Sequence, residues 1–129
     1  MTFWEMSKAA AMCGAGGGNG SNLFSGEIEQ GSISYPEGEP FDSTTRLRTK
    51  GYTKTGAKTY SVFWTSAKIL TAYAFLYDES GTFVERYNSS DSGVPFSFTL
   101  PSAGKIKLLF LGSETLEPSD IKNITLVEN

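Results

Sequence analysis

The sequence of 129 residues contains no histidine and only one cysteine, Cys13. Without histidine the chain has no Ser-His-Asp triad, no imidazole metal ligand and no ordinary side chain that titrates near neutral pH. A single cysteine excludes an intramolecular disulfide and a zinc site made of several thiolates. These absences favour a protein without catalytic activity, cofactor or resident metal, and the chain is long enough for a hydrophobic core to stabilise it.

Basic residues are not in excess either, because 11 lysines and arginines stand against 14 acidic residues. The chain therefore lacks the positive charge expected of a nucleic-acid-binding protein. No apolar run approaches the about 18 residues of a membrane-spanning helix. Glu5 and Lys8 interrupt the pattern of a secretory signal in residues 1–12. We expect a protein made and assembled in a cytoplasm, with neither nucleic acid nor membrane as a partner.

Glycine is concentrated in one place, since five of the 14 glycines fall within residues 14–20. Such a run predicts a flexible linker, because glycine has no side chain to bury and loses much entropy on ordering. The preceding residues, 2–13, combine helix formers with apolar side chains, although an isolated helix of about twelve residues is marginal in water. We predict that residues 1–21 form an N-terminal arm, helical or extended, that is either a docking peptide or a disordered tail. The docking interpretation assigns the contacts to Phe3, Trp4, Met6 and Met12.

The residues from 22 onward have the pattern of an all-β domain. Segments rich in β-branched and aromatic residues recur at short intervals, each bounded by Gly, Pro, Asn, Asp or Ser. No stretch of ten residues there keeps a helical period. We predict that residues 22–129 form one antiparallel, jelly-roll-type sandwich of about eight strands. The predicted strands are Glu27–Ser34, Thr44–Tyr52, Lys58–Thr65, Lys68–Tyr77, Thr82–Tyr87, Pro95–Leu100, Lys105–Leu111 and Ile121–Val127.

Alternation of apolar and polar residues predicts which side chains are buried. Ile106 and Leu108 face inward, so Lys105 and Lys107 face water. In the last strand the same alternation places Leu126 in the core and Ile121 on the opposite face.

Residues 68–77 are apolar on both faces of their predicted strand. Such a strand is central in its sheet, or a loop or another subunit covers its outer face. Residues 35–42 contain two prolines, and we predict an irregular surface loop there.

Aromatic residues make up 13% of the sequence, and this excess suggests ligand contacts. The apolar face of an exposed tryptophan or tyrosine stacks well on the C–H face of a sugar ring. The alternative is that most of these side chains belong to the core. The candidates for ligand binding are Trp64, Tyr52, Tyr73 and Tyr87.

Carboxylates near the predicted loops allow two interpretations. Together with loop carbonyls they would supply oxygen ligands for Ca²⁺, and as turn formers they need no metal. Their spacing pairs no two of them in one cleft, as a glycosidase requires, so we predict neither an enzyme nor an assigned metal site. The residues are Asp42, Asp78, Glu79, Asp91 and Asp120.

The densest positive stretch contains Arg46, Arg48 and Lys50, which alternate along a predicted strand and therefore share one face. This face is either solvated or a contact for an anion or an acidic partner.

Four pieces between Ser43 and Phe110 follow one pattern: an Arg-x-Arg strand, a Tyr-Ser strand, an aromatic strand closed by Tyr-Asp-x-x-Gly-x-Phe, and Phe-x-Phe followed by Lys-Ile-Lys. The pieces are STTRLRTKGY, KTYSVFW, ILTAYAFLYDESGTFVE and PFSFTLPSAGKIKLLF. With this pattern, roughly half of the chain resembles a sandwich module common in bacteriophage structural proteins and in carbohydrate-binding appendages. The resemblance implies a jelly-roll or carbohydrate-binding-like sandwich displayed on a virion or a cell surface.

An apolar arm, a glycine linker and a β-domain together predict a non-enzymatic virion structural protein, such as a capsid decoration, head fibre or tail component. We expect it to contact other virion proteins, to form a symmetric homo-oligomer, and to reside in the virion after assembly in the host cytoplasm. A host-surface glycan is the expected ligand of the displayed domain. The alternative is a free-standing carbohydrate-binding module or a cell-surface adhesin domain.

Overall fold

The computed structural model describes residues 22–24, 26–89 and 95–129. In this part of the chain the regular structure consists of antiparallel β-strands and one turn of 3₁₀ helix at Pro118–Asp120. The all-β fold class predicted from the sequence is therefore confirmed. The strands are β1 (Ile28–Gln30), β2 (Ser32–Ile33), β3 (Pro40–Phe41), β4 (Arg46–Thr49), β5 (Thr53–Thr55), β6 (Thr59–Thr65), β7 (Thr71–Tyr77), β8 (Phe83–Asn88), β9 (Phe96–Thr99), β10 (Gly104–Leu111) and β11 (Lys122–Glu128).

The strands form a small sheet, a large sheet and a hairpin. The small sheet has the order β9-β6-β11, and the large sheet has the order β1-β4-β10-β7-β8, with β5 also paired to β10. The hairpin pairs β2 with β3. Residues 22–24 run beside the small sheet, where the Leu23 N–H donates to the Leu126 carbonyl at 2.7 Å.

Each of the eight predicted segments overlaps a strand, but the first one is divided. Gly31 separates β1 from β2 with a φ of 147°, and an added Cβ there would lie 2.6 Å from the Arg48 guanidinium. Glycine therefore allows the chain to leave the large sheet directly above an arginine. The strands β3 and β5 were not predicted, and β3 lies in the segment expected to be an irregular loop.

The main core lies between the small and large sheets. Inward side chains of both sheets belong to one cluster, and Trp64 of β6 packs edge-on against Phe110 of β10 at a ring distance of 5.3 Å. As predicted, Ile106 and Leu108 are 1% and 2% exposed. The cluster consists of Leu47, Tyr60, Val62, Trp64, Leu70, Ala72, Ala74, Leu76, Phe96, Phe98, Leu100, Ile106, Leu108, Phe110, Leu116, Ile121 and Leu126.

A second, smaller core lies on the other face of the large sheet. Phe75, Tyr77 and Leu109 project from β7 and β10 and pack with Ile33 of β2. The hairpin, residues 32–41, therefore covers the outer face of β7, which the sequence had shown to be apolar on both sides. The outer face of β7 is thus covered by a segment of the same chain, which was one of the alternatives predicted from the sequence. Burying each large side chain there stabilises the fold by about 1.5–3 kcal/mol.

The last strand differs from the prediction. Ile121 is 4% exposed and belongs to the same core as Leu126, so its predicted outward orientation is wrong. The pairing of β11 with β6 shifts register between Lys122 and Thr125, and Asn123 has a left-handed φ of 56°. A bulge of this kind reverses the alternation of faces along a strand.

Candidate functional site

The outer face of the large sheet has a covered part and an open part. Cross-strand pairing places Lys105 opposite Lys54 of β5 and opposite Tyr77 of β7, so these residues share the outer face. Lys107 lies two residues along β10 and points the same way. The hairpin covers Phe75 and Leu109, whereas Lys54, Lys105 and Lys107 lie where the cover ends.

Two arginines of β4 fasten the hairpin to the sheet. Arg48 donates to the carbonyls of Ser32 and Phe41, each at 3.0 Å, and its Nε lies 2.8 Å from Glu29. Arg46 donates to the Ser32 hydroxyl at 2.9 Å. The sequence predicted that these arginines are either solvated or in contact with an external anion. Instead, both donate hydrogen bonds to groups of the same chain. Lys50 is exposed and pairs with Glu27 at 3.0 Å.

The hairpin also binds the sheet through a tyrosine. The Tyr77 hydroxyl donates to the Gly38 carbonyl at 2.8 Å, and both residues are buried. Burial raises the pKa of Tyr77 well above its usual range. This phenol is therefore a structural donor rather than a group that titrates near neutral pH.

Tyr52 is the centre of the open part. It is 46% exposed and its ring meets Tyr77 edge-on at 5.1 Å. The Lys105 and Lys107 Nζ atoms lie 4.5 Å and 4.9 Å from the centroid of the Tyr52 ring, which is within cation–π distance. We call Tyr52, Lys54, Lys105 and Lys107 the lysine–tyrosine cluster.

The cluster is electropositive. Within the described ranges, none of its three lysines has a carboxylate oxygen within 4.0 Å, whereas Arg48, Lys50, Lys58 and Lys68 each have at least one. Burial, and then the charge of Arg48, lower the pKa of Lys107. The cluster thus concentrates positive charge on a protein whose formal net charge is -3.

A cleft of about 320 Å³ adjoins Tyr52. Apolar Leu23 and Phe24 form one part of its lining, and Tyr52 and Lys54 form another. A second cleft, of about 390 Å³, lies between β1 and β11, and is lined by Phe24, Ile28, Ile121 and Lys122 among others. Of the two, only the first combines an exposed aromatic ring with a lysine of the cluster, Lys54.

The four predicted ligand-binding aromatics are not brought together. Trp64 is 8% exposed and packs in the main core, so it is a core residue and not an exposed ligand-binding ring. Tyr87 is partly buried and stacks on Phe98 at 6.0 Å. Tyr73 is only half-exposed, and the Arg86 guanidinium lies between its ring, at 4.7 Å, and the Tyr35 ring, at 3.9 Å. Tyr52 is the candidate that keeps an exposed ring beside a cleft.

Lys105 and Lys107 are site residues that the sequence did not single out. Their alternation predicted that they face water, but no local signal links them to Tyr52, which is far away in sequence. The predicted docking residues Phe3, Trp4, Met6 and Met12 lie outside the described residues.

Two of the candidate loop carboxylates, Asp78 and Asp120, have turn and capping roles. Asp78 accepts hydrogen bonds from the Ser80 hydroxyl at 2.6 Å and the Thr82 N–H at 3.0 Å, and these bonds lower its pKa. Asp120 accepts from the Glu117 N–H at 2.8 Å and from Lys68 at 3.0 Å, which lowers its pKa too. In the described part of the chain, no three His, Cys, Asp or Glu side chains are grouped as metal ligands. Asp91 lies outside that part.

The chain matches no family model, no curated protein and no solved structure. Among the described residues there is also no helix with the length and apolar character needed to cross a bilayer.

Proposed function

We propose that this chain is a non-enzymatic display module that binds a surface glycan at the lysine–tyrosine cluster. The observation that carries the proposal is the exposed Tyr52 ring beside a cleft and next to two lysine ammonium groups. An exposed aromatic ring with adjacent donors suits a sugar, because the ring contacts C–H groups while the donors reach oxygens.

We also propose a jelly-roll-type arrangement for the sandwich. The strand order supports it when residues 22–24 are counted as the first strand, beside β11. The chain then passes between the sheets so that one sheet reads 22–24, β11, β6, β9 and the other reads β4, β10, β7, β8. Eight antiparallel strands that wrap two sheets in this way are the defining pattern of a jelly roll, with β1 added at an edge.

For the particle context, we propose a bacteriophage virion protein that forms a homo-oligomer and is held on the particle by residues 1–21. The support is the two-part sequence: an apolar arm and a glycine run precede the β-domain. Deletion of residues 1–20 should abolish incorporation into particles while the β-domain still folds. Incorporation of the deleted chain at the level of the full chain would contradict the docking role. Absence of the full chain from particles would instead favour a free-standing carbohydrate-binding module or a cell-surface adhesin domain.

The glycan-binding proposal is tested on a glycan array with the full chain and two matched variants. Tyr52→Ala removes the exposed ring of the cluster and should weaken binding by at least about tenfold, the effect expected for one aromatic contact. Phe63→Ala is the control, because Phe63 is 40% exposed on the outer face of the small sheet. An array without hits, or equal losses in both variants, would overturn the proposal.

A further inference from the structure

The charge state of the lysine–tyrosine cluster indicates the chemistry of its ligand. Lys54 and Lys105 lie directly opposite each other on neighbouring strands. Like charges in this position destabilise a sheet by a fraction of a kcal/mol or more. Neither lysine has a carboxylate oxygen within 4.0 Å among the described residues, so no group of the described chain neutralises this repulsion.

Lys107 adds a third positive charge in a less favourable setting. It is half-buried, and burial and the nearby Arg48 both act against its charged form. The acidic groups that face it are Glu29, which is bound to Arg48 at 2.8 Å, and Glu39 on the hairpin. Neither comes within ion-pair distance of Lys107. An external anion would therefore relieve both the repulsion and the loss of hydration.

The geometry leaves the lysine donors available. The Tyr52 ring holds the Lys105 and Lys107 ammonium groups at 4.5 Å and 4.9 Å through its electron-rich face. An ammonium group has three N–H donors, and a ring face satisfies none of them fully. A sugar that stacked on a face of the ring where a lysine lies would have to displace that lysine, so a sugar contacts the part of the ring that stays exposed. An acidic group meets the ammonium groups without displacing them.

The adjoining cleft provides space for the uncharged part of such a ligand. Leu23 and Phe24 line it on one side, while Tyr52 and Lys54 connect it to the cluster. A ring that lies in this cleft contacts Tyr52 and Lys54, and through Tyr52 the cleft adjoins Lys105 and Lys107. The charged and apolar parts of the surface thus match a molecule with both characters.

We propose that the cluster binds an acidic polysaccharide, with a carboxylate or sulfate group on Lys105 and Lys107 and a sugar ring in the adjoining cleft. This inference rests on the proposed glycan-binding function and specifies its ligand class. It predicts that binding follows the charge of the sugar rather than the identity of its ring.

The experiment compares ligands that differ only in charge. Oligogalacturonate and its fully methyl-esterified form test the carboxylate, and dextran sulfate and dextran test the sulfate. Poly-L-glutamate tests a polyanion without sugar rings. Isothermal titration with the full chain should show binding of at least one acidic sugar that is tenfold or more tighter than binding of its uncharged form. Raising the ionic strength from about 0.05 M to about 0.5 M should weaken that binding, because the Debye length shortens.

Variants assign the binding to the cluster. Lys105→Met and Lys107→Met should each weaken binding of the acidic sugar about tenfold, the loss of one charge-assisted hydrogen bond. Lys122→Met makes the same charge change at an exposed lysine of β11 and should leave binding unchanged. Lys107→Met should not lower the melting temperature, because the lost charge is disfavoured in the folded state. A loss of binding caused by unfolding is thereby distinguished from the loss of a ligand contact.

The remaining outcomes separate the two proposals. Equal, Tyr52-dependent binding of charged and uncharged sugars would overturn the acidic class and keep the glycan function. Binding of poly-L-glutamate as tight as that of the acidic sugars, with the same lysine dependence, would overturn the glycan function and indicate an acidic peptide partner. If none of the acidic ligands binds, the inference is overturned.

Discussion

The two outward-facing sheet surfaces of this protein satisfy their polar groups in different ways. On the small sheet the Thr59 and Thr99 hydroxyls lie 2.8 Å apart, and so do the hydroxyls of Ser61 and Ser97. These short, uncharged groups bind one another across β6 and β9. On the large sheet the long side chains of Lys105 and Lys107 lie beside an aromatic ring without a carboxylate partner in the described chain.

The comparison shows which surface needs an external partner. The paired hydroxyls satisfy their hydrogen bonds with each other or with water. These groups of the small sheet therefore need no external partner. A group of like charges is stabilised by an anion, and the described part of the fold places no carboxylate within 4.0 Å of these lysines. The number of polar groups on a surface therefore does not identify a binding site. Whether each polar group has a partner within the chain is more informative.

The largest expected difference between the two surfaces is in stability. Phe75 and Phe63 are both outward-facing aromatics, but Phe75 is 0% exposed beneath the hairpin and Phe63 is 40% exposed. Phe75→Ala should lower the free energy of unfolding by about 3–5 kcal/mol, because it leaves a cavity. Phe63→Ala should change it by less than about 1 kcal/mol.

Urea unfolding measures both free energies. If Phe75→Ala does not fold, Phe75→Leu replaces it and should still lose more stability than Phe63→Ala, although less than Phe75→Ala would. Similar losses for the two positions would mean that the hairpin does not seal the large sheet.

A smaller effect is expected at the residues that fasten the hairpin. Arg48→Met leaves the buried Ser32 carbonyl without its side-chain donor and Glu29 without its partner. We expect a loss of about 1–3 kcal/mol in the free energy of unfolding. Lys50→Met is the matched control, since Lys50 makes an exposed ion pair with Glu27, and exposed pairs contribute about 0–1 kcal/mol.

Hydrogen exchange of residues 32–41 provides a second measurement. It should accelerate in Arg48→Met and not in Lys50→Met. Unchanged exchange in Arg48→Met would show that the hairpin is held by its apolar contacts alone.

Local patterns in the sequence predicted much of the sheet structure. Alternation set the inward positions of Ile106 and Leu108 and the outward positions of Lys105 and Lys107, because successive side chains of a strand must point to opposite faces. The prediction failed for Ile121, where a bulge changes the alternation. A bulge depends on the partner strand, and a single segment carries no reliable sign of it.

The hairpin and the site were less predictable because they depend on distant contacts. Pro40 and Phe41 pair with β2, yet two prolines in the segment indicated a loop. Tyr52 was a candidate from its residue type alone. Its neighbours Lys105 and Lys107 come from a strand more than fifty residues later, and only the pairing of β5 with β10 brings them together. Residue type also suggested Trp64, but its burial is decided by the packing of two sheets.

The smallest of these effects concerns the pH dependence of the covered surface. The Tyr77 hydroxyl donates to Gly38, and burial raises its pKa in the folded state. In the unfolded chain a tyrosine ionises near pH 10. The contribution of this phenol is therefore fully present below about pH 10 and is lost as the pH rises further, since only the unfolded state releases the proton.

Tyr77→Phe should lower the free energy of unfolding by about 1 kcal/mol at neutral pH through the lost hydrogen bond. Above about pH 10 the wild-type stability should fall more steeply than that of the variant, so the two curves converge. Parallel curves for wild type and Tyr77→Phe would show that solvent reaches this phenol, and hence that the hairpin covers the large sheet less tightly than the Tyr77–Gly38 hydrogen bond implies.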